Sequence, residues 1–96
     1  MTIRVVERIV ARPDTIPQLR SVLLALLEPT RHEPGCLRYE LLQSVADPTD
    51  FTFVEEWRSQ QDERQHMQAP HVQHALRQVP DLIAAPPDIR SYRVIG

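Results

Sequence analysis

Residues 34 to 57, PGCLRYELLQSVADPTDFTFVEEW, constrain the fold more than any other stretch of the chain. Two strand-like runs, Cys36 to Gln43 and Phe51 to Arg58, flank SVADPTD, whose Asp-Pro and small polar residues suit a hairpin loop. The runs are therefore expected to pair antiparallel. Side chains alternate between the two faces of a strand, so Phe51, Phe53, Glu55 and Trp57 fall on one face. A carboxylate in line with three aromatic rings is the feature that needs a reason.

The rest of the chain supplies partners for that hairpin. Ile3 to Ala11 reads as a first strand, with Ile3, Val5, Ile9 and Ala11 on one side and Glu7 interrupting them. Ile16, Leu19, Val22, Leu23, Leu26 and Leu27 then recur at helical spacing, with Asp14 or Thr15 as cap and Pro17 in the first turn. This helix is expected to reach about Arg31, before the stop signal Glu33-Pro34-Gly35. After the hairpin, Ser59 and Asp62 form a shortened capping box for a helix from about Gln60 to Gln68. Pro70 opens a further short helix carrying Val72, Leu76 and Val79. Beyond the loop at Pro86-Pro87, Ile89 to Ile95 reads as a last strand. Strand, helix, two strands, two helices and a strand predict a ferredoxin-like α+β sandwich. A right-handed crossover makes the first and third strands central neighbours, which brings Glu7 and Glu55 onto adjacent strands.

Ninety-six residues suffice for one domain, 1–96, with one core. A net charge of −2 gives no basic field, so nucleic acid is not an expected partner. Arg4, Glu7 and Arg8 break the apolar start of the chain, which is read as neither signal peptide nor membrane anchor. The single cysteine, Cys36, cannot form an internal disulfide, so a cytoplasmic location is expected.

One sheet face combines Ile3, Val5, Ile9, Leu37, Tyr39, Leu41, Phe51, Phe53 and Trp57, the composition of a layer covered by helices. Glu7 and Glu55 are its exceptions. Burying a carboxylate without partners costs several kcal/mol, so each must be paired, hydrogen-bonded or protonated. Glu55 either meets an arginine such as Arg8 or Arg93, lies at a watered strand end, or belongs to a functional site. A bulge in the first strand would turn Glu7 outward. The opposite face mixes Arg8, Arg38, Glu40, Glu56 and Arg58 with Val6, Leu42, Val54 and Val94, a pattern expected to meet a second copy in a homodimer.

Most familiar chemistries lack their residues here. His66, His71 and His74 are spaced H-x4-H-x2-H, interrupted by Pro70 and without HExxH or a nearby cysteine, so no metal is expected. There is no GxSxG, and Cys36 reads as a packed thiol. Two glycines, Gly35 and Gly96, cannot supply a GxGxxG or Walker cradle for a nucleotide or flavin. What remains is a pocket with Tyr39, Phe53, Trp57 and Met67 as walls and Glu7, Glu55, His66 and His71 as polar groups. An imidazole in such a place can accept a proton from a phenol or quinol hydroxyl.

The runs PGCLRYEL from Pro34, FVEEWRSQ from Phe53 and HMQAPHVQH from His66 resemble, in order and spacing, the antibiotic biosynthesis monooxygenase domain family. The resemblance covers nearly the whole chain. It implies a ferredoxin-like fold that pairs into a homodimeric α+β barrel, with a cavity between sheet and helices. It also implies that Tyr39, Glu55, Trp57, His66 and His71 line or support that cavity. Activities in such families include oxygenation of quinols and phenols without metal or flavin, haem degradation and isomerisation of a phosphorylated sugar. The haem-degrading pattern of asparagine, tryptophan and axial histidine aligns here with Glu7, His66 and Leu76, so haem is not expected. The expectation is a cofactor-independent monooxygenase, an oxidoreductase, acting on a small quinol or phenol with O2. His66 or Glu55 accepts the hydroxyl proton in that reading, and Glu7, Tyr39, Phe53, Trp57, Met67 and His71 bind the substrate. A hydroxy-ketone isomerase, with Arg8 and Arg93 as phosphate grips, and a non-catalytic binding dimer are the alternatives.

Overall fold

Alternation along β1 (Ile3–Val10) and β3 (Asp50–Trp57) sets the architecture of the computed structural model, which describes Met1–Gly96. Every odd residue of β3 from Phe51 to Trp57 is buried, and every even one is only partly so. β1 lies antiparallel beside β3, with Val5 opposite Glu55 and Glu7 opposite Phe53. β2 (Cys36–Gln43) flanks β3, and β4 (Asp88–Tyr92) flanks β1, giving the order β2-β3-β1-β4. The four-stranded antiparallel sheet with helices on one face is a ferredoxin-like α+β fold.

The covering layer begins with α1 (Ile16–Leu24) and α2 (Leu27–Arg31). The single helix expected to Arg31 is interrupted at Ala25-Leu26. Pro29 is the reason: it lacks the N–H that would bond the Ala25 carbonyl and its ring crowds that turn. Thr15 occupies the cap position of α1 without a side-chain capping bond, because its hydroxyl donates across the fold to the Leu82 carbonyl at 2.6 Å. α3 (Gln60–Gln68) and α4 (Pro70–Gln78) meet at Ala69, held extended (ψ 144°) by the proline that follows it. Ser59 caps α3 by accepting the Asp62 N–H at 3.1 Å, and Arg58 donates twice to the Asp62 carboxylate. A 3-10 turn, Val79–Asp81, closes the layer.

Two strand details differ from the expectation. A bulge between Cys36 and Arg38 in β2 turns Leu37 outward, so this residue is half exposed rather than part of the core. No bulge interrupts the pairing of β1, and Glu7 therefore points toward the helices. β4 is shorter than Ile89 to Ile95: its last pair is Tyr92 with Arg4, and β1 begins one residue earlier than Arg4, leaving nothing for the final residues to pair with. Trp57, Phe51, Phe53, Leu19 and Leu23 form the best-buried part of the core.

Gly35 sits at φ +82°, a left-handed conformation that glycine adopts without strain. A Cβ there would also collide with the Asp62 side chain, so the turn is pressed against α3. That close approach places Glu33, two residues before the glycine, beside the histidines of the helical layer.

Candidate functional site

A narrow cavity lies between the covered sheet face and the helices, with an empty volume of about 440 Å³ counting its open mouth. Glu7 of β1, Tyr39 of β2, Phe53 of β3 and His66 and Met67 of α3 line it, and aliphatic side chains from α1 and α4 complete a mostly apolar wall. Glu55, Trp57 and His71, the other residues expected in the pocket, do not line the cavity but stand behind it. Trp57 donates its indole N–H to Glu55 at 2.9 Å, and His71 approaches from the far side of Glu33. Glu55 has neither of its expected arginines: Arg8 is bonded to Asp50 at 2.8 Å, and Arg93 makes no ion pair.

His66 is held on three sides. Its ring centroid lies 4.6 Å from that of Trp57 and 5.5 Å from that of Tyr39. Nδ1 is 2.7 Å from Glu33 Oε2, and the same oxygen is 3.1 Å from His71 Nε2. Because a carboxylate only accepts, both imidazole N–H groups donate to it. In a neutral ring this assignment leaves His66 Nε2 as an acceptor, and no protein group bonds it. Thr30 Oγ1, fully buried, lies 3.2 Å from His71 Nε2 and fixes that ring in turn.

Burial sets the electrostatics of the remaining polar groups. Glu7 is pushed up to about 7 by desolvation, with a further push from Glu63. Glu55 is likewise raised to about 7, chiefly by desolvation; the Trp57 hydrogen bond opposes the rise and the charges of Glu7, Glu63 and Glu33 add to it. Burial, followed by Glu55 and Glu7, drives the Tyr39 phenol well above its usual range, so it stays a hydroxyl. Cys36 is raised mainly by desolvation, as suits a packed thiol. The cavity therefore offers one supported imidazole and a carboxyl that is partly protonated near neutral pH, both in mostly apolar surroundings.

Glu33 is the residue that the sequence reading passed over. It sits in the helix stop Glu33-Pro34-Gly35, and nothing in local periodicity links position 33 to positions 66 and 71. Glu33, His66 and His71 nevertheless bring one carboxylate oxygen and two ring nitrogens within 4.8 Å of one another. His74, the third histidine of the spaced set, points to solvent.

Comparison with known proteins identifies the family. The family model described as antibiotic biosynthesis monooxygenase matches residues 2–78. “Putative monooxygenase Rv0793” of Mycobacterium tuberculosis is 36% identical over 84 residues, covering 88% of this chain and 82% of its own. Its solved structure superposes with a TM-score of 0.95 and 29% identity, over 100% of this chain and 97% of that one. The Synechocystis protein sll1783 is 30% identical over 90 residues, which are 94% of this chain, and the chain spans only 61% of that relative's length. On the family match and this likeness, the chain belongs to the antibiotic biosynthesis monooxygenase family.

Proposed function

We propose that this protein is a cofactor-independent monooxygenase for a small quinol or phenol. The observation that carries this reading is the imidazole of His66, whose Nδ1 is anchored by Glu33, whose Nε2 has no protein hydrogen bond and whose ring lines a mostly apolar cavity. A substrate hydroxyl beside Nε2 gives up its proton to the ring, and Glu33 stabilises the charge that forms. The electron-rich phenolate then forms a C–O bond to O2. Loss of the ring C–H proton breaks the O–O bond, placing one oxygen atom in the product and the other in water. The substrate supplies all four electrons, so no external reductant enters. The cavity contributes by excluding water and orienting the ring, with the Tyr39 hydroxyl and protonated Glu7 able to donate to developing oxyanions. Glu55 serves behind the wall, through Trp57.

The test is oxygen uptake by chelator-treated protein with a panel of quinols and phenols. Uptake is expected for at least one, with kcat reduced about 100-fold or more in His66→Ala, the usual scale for loss of a general base. No uptake across the panel, or uptake unchanged in His66→Ala, overturns the reading. Hydroxy-ketone isomerisation has one observation in its favour, the protonated carboxyl of Glu7 in the same cavity as the imidazole. Turnover that continues without oxygen would select it. The homodimer belongs to this proposal too: Val6 and Leu42 are exposed on the open sheet face, and a second copy would cover them.

A further inference from the structure

We infer that Glu33, His66 and His71 form a binding site for a divalent first-row transition metal of the zinc type, and that the ion switches the cavity-facing nitrogen of His66 from acceptor to donor. The inference starts from convergence. Nδ1 of His66 and Nε2 of His71 both direct their N–H at a single point, Glu33 Oε2, at 2.7 and 3.1 Å. A metal bound at about 2.1 Å to two imidazoles and a carboxylate holds its ligand atoms about 3.4 Å apart in a tetrahedron. The two nitrogen–oxygen separations, at 2.7 and 3.1 Å, are hydrogen-bond distances that must lengthen by less than about 1 Å to reach that spacing, and the three atoms span at most 4.8 Å. His71 is the ring that must approach, and it is the freer one, at 23% exposure against 4% for His66. Two imidazoles with one carboxylate favour zinc, nickel, cobalt or copper over calcium or magnesium, which prefer all-oxygen sites.

The three ligands come from three elements: the turn before β2, the last turn of α3 and the first turn of α4. An ion would therefore clip together one wall of the cavity. Its effect on His66 follows from proton counting. With the metal on the Nδ1 lone pair, the neutral ring keeps its single proton, which must now reside on Nε2. The nitrogen facing the cavity then donates and can no longer accept. Metal binding itself is independent of the proposed oxygenation; only the inhibition of turnover rests on that reading.

The experiment is a calorimetric Zn2+ titration of the chelator-stripped full chain, with 15N NMR of the histidine rings recorded before and after. One ion per chain is expected, accompanied by transfer of the His66 proton from Nδ1 to Nε2. His71→Ala and Glu33→Gln should each weaken binding about tenfold or more, and His74→Ala should leave it unchanged. Glu33→Gln decides the matter if His71→Ala fails to fold. Absence of saturable binding up to about 1 mM Zn2+ overturns the inference. So does binding that survives both substitutions, or a His66 ring that keeps its proton on Nδ1. Because the readouts need no substrate, they stand even if no quinol is ever turned over.

Discussion

Glu55 and Glu56 are neighbours in sequence and opposites in surroundings. On the open face of the sheet, acids meet arginines: Arg4 with Glu56 at 3.0 Å, Arg8 with Asp50 at 2.8 Å and Arg38 with Glu40 at 3.6 Å. On the covered face, Glu7 and Glu55 have no cation at all, and Glu55 makes a single side-chain bond, to Trp57. Open-face charges remain solvated, and such pairs contribute about 0–1 kcal/mol each. Covered-face charges meet the full cost of desolvation, which shows as carboxyls raised to about 7. The contrast teaches that the sheet separates two uses of the same residue type: charge pairing outside, proton holding inside.

The open face supplies the largest expected effect. If a second copy covers it, Val54→Asp places two unpaired charges at the two-fold interface and should weaken the dimer about 100-fold or more, read by light scattering across a dilution series. A monomeric parent protein would instead leave this face permanently solvated.

Next comes Glu55→Gln, which keeps an acceptor for Trp57 but cannot ionise. A carboxyl that titrates at 4.5 when unfolded and about 7 when folded binds more protons in the folded state between those values. Its favourable contribution is therefore complete below 4.5 and is lost as pH rises through 7. Glu55→Gln should stabilise the protein by roughly 1–3 kcal/mol at pH 8 and flatten the decline between 4.5 and 7, as measured by denaturant unfolding. Glu7→Gln should do the same with a comparable amplitude, because desolvation raises its carboxyl to about the same value. Smallest is Glu56→Gln, which removes the exposed pair with Arg4 and should change stability by less than about 1 kcal/mol. An Glu56→Gln effect as large as that of Glu55→Gln would erase the distinction between the faces.

Much of this division was legible in the sequence. The alternation of β3, the Asp-Pro loop and the capping pair Ser59 and Asp62 fix local structure through nearest neighbours, and the right-handed crossover between the first two strands predicts the sheet order. The features that escaped depend on contacts between distant segments. Pro29 divides a helix whose apolar spacing continues across it, so periodicity alone ran straight through. The β2 bulge turns Leu37 outward without any local signal, since a single extra residue leaves composition unchanged. Glu33 was invisible for the same reason: its meaning comes from the packing of Gly35 against Asp62, which carries it 33 and 38 positions across the chain to His66 and His71. The imidazole could be picked from the sequence, whereas the carboxylate that orients it could not.

The central claim is that the covered face holds carboxyls poised to exchange protons near neutral pH. A 13C NMR titration of the glutamate side-chain carboxyls measures this directly. Glu7 and Glu55 should titrate as an interacting pair with apparent midpoints near 7. Midpoints for Glu7 and Glu55 close to the ordinary 4.5 would show that water or a cation reaches both, and would contradict the account.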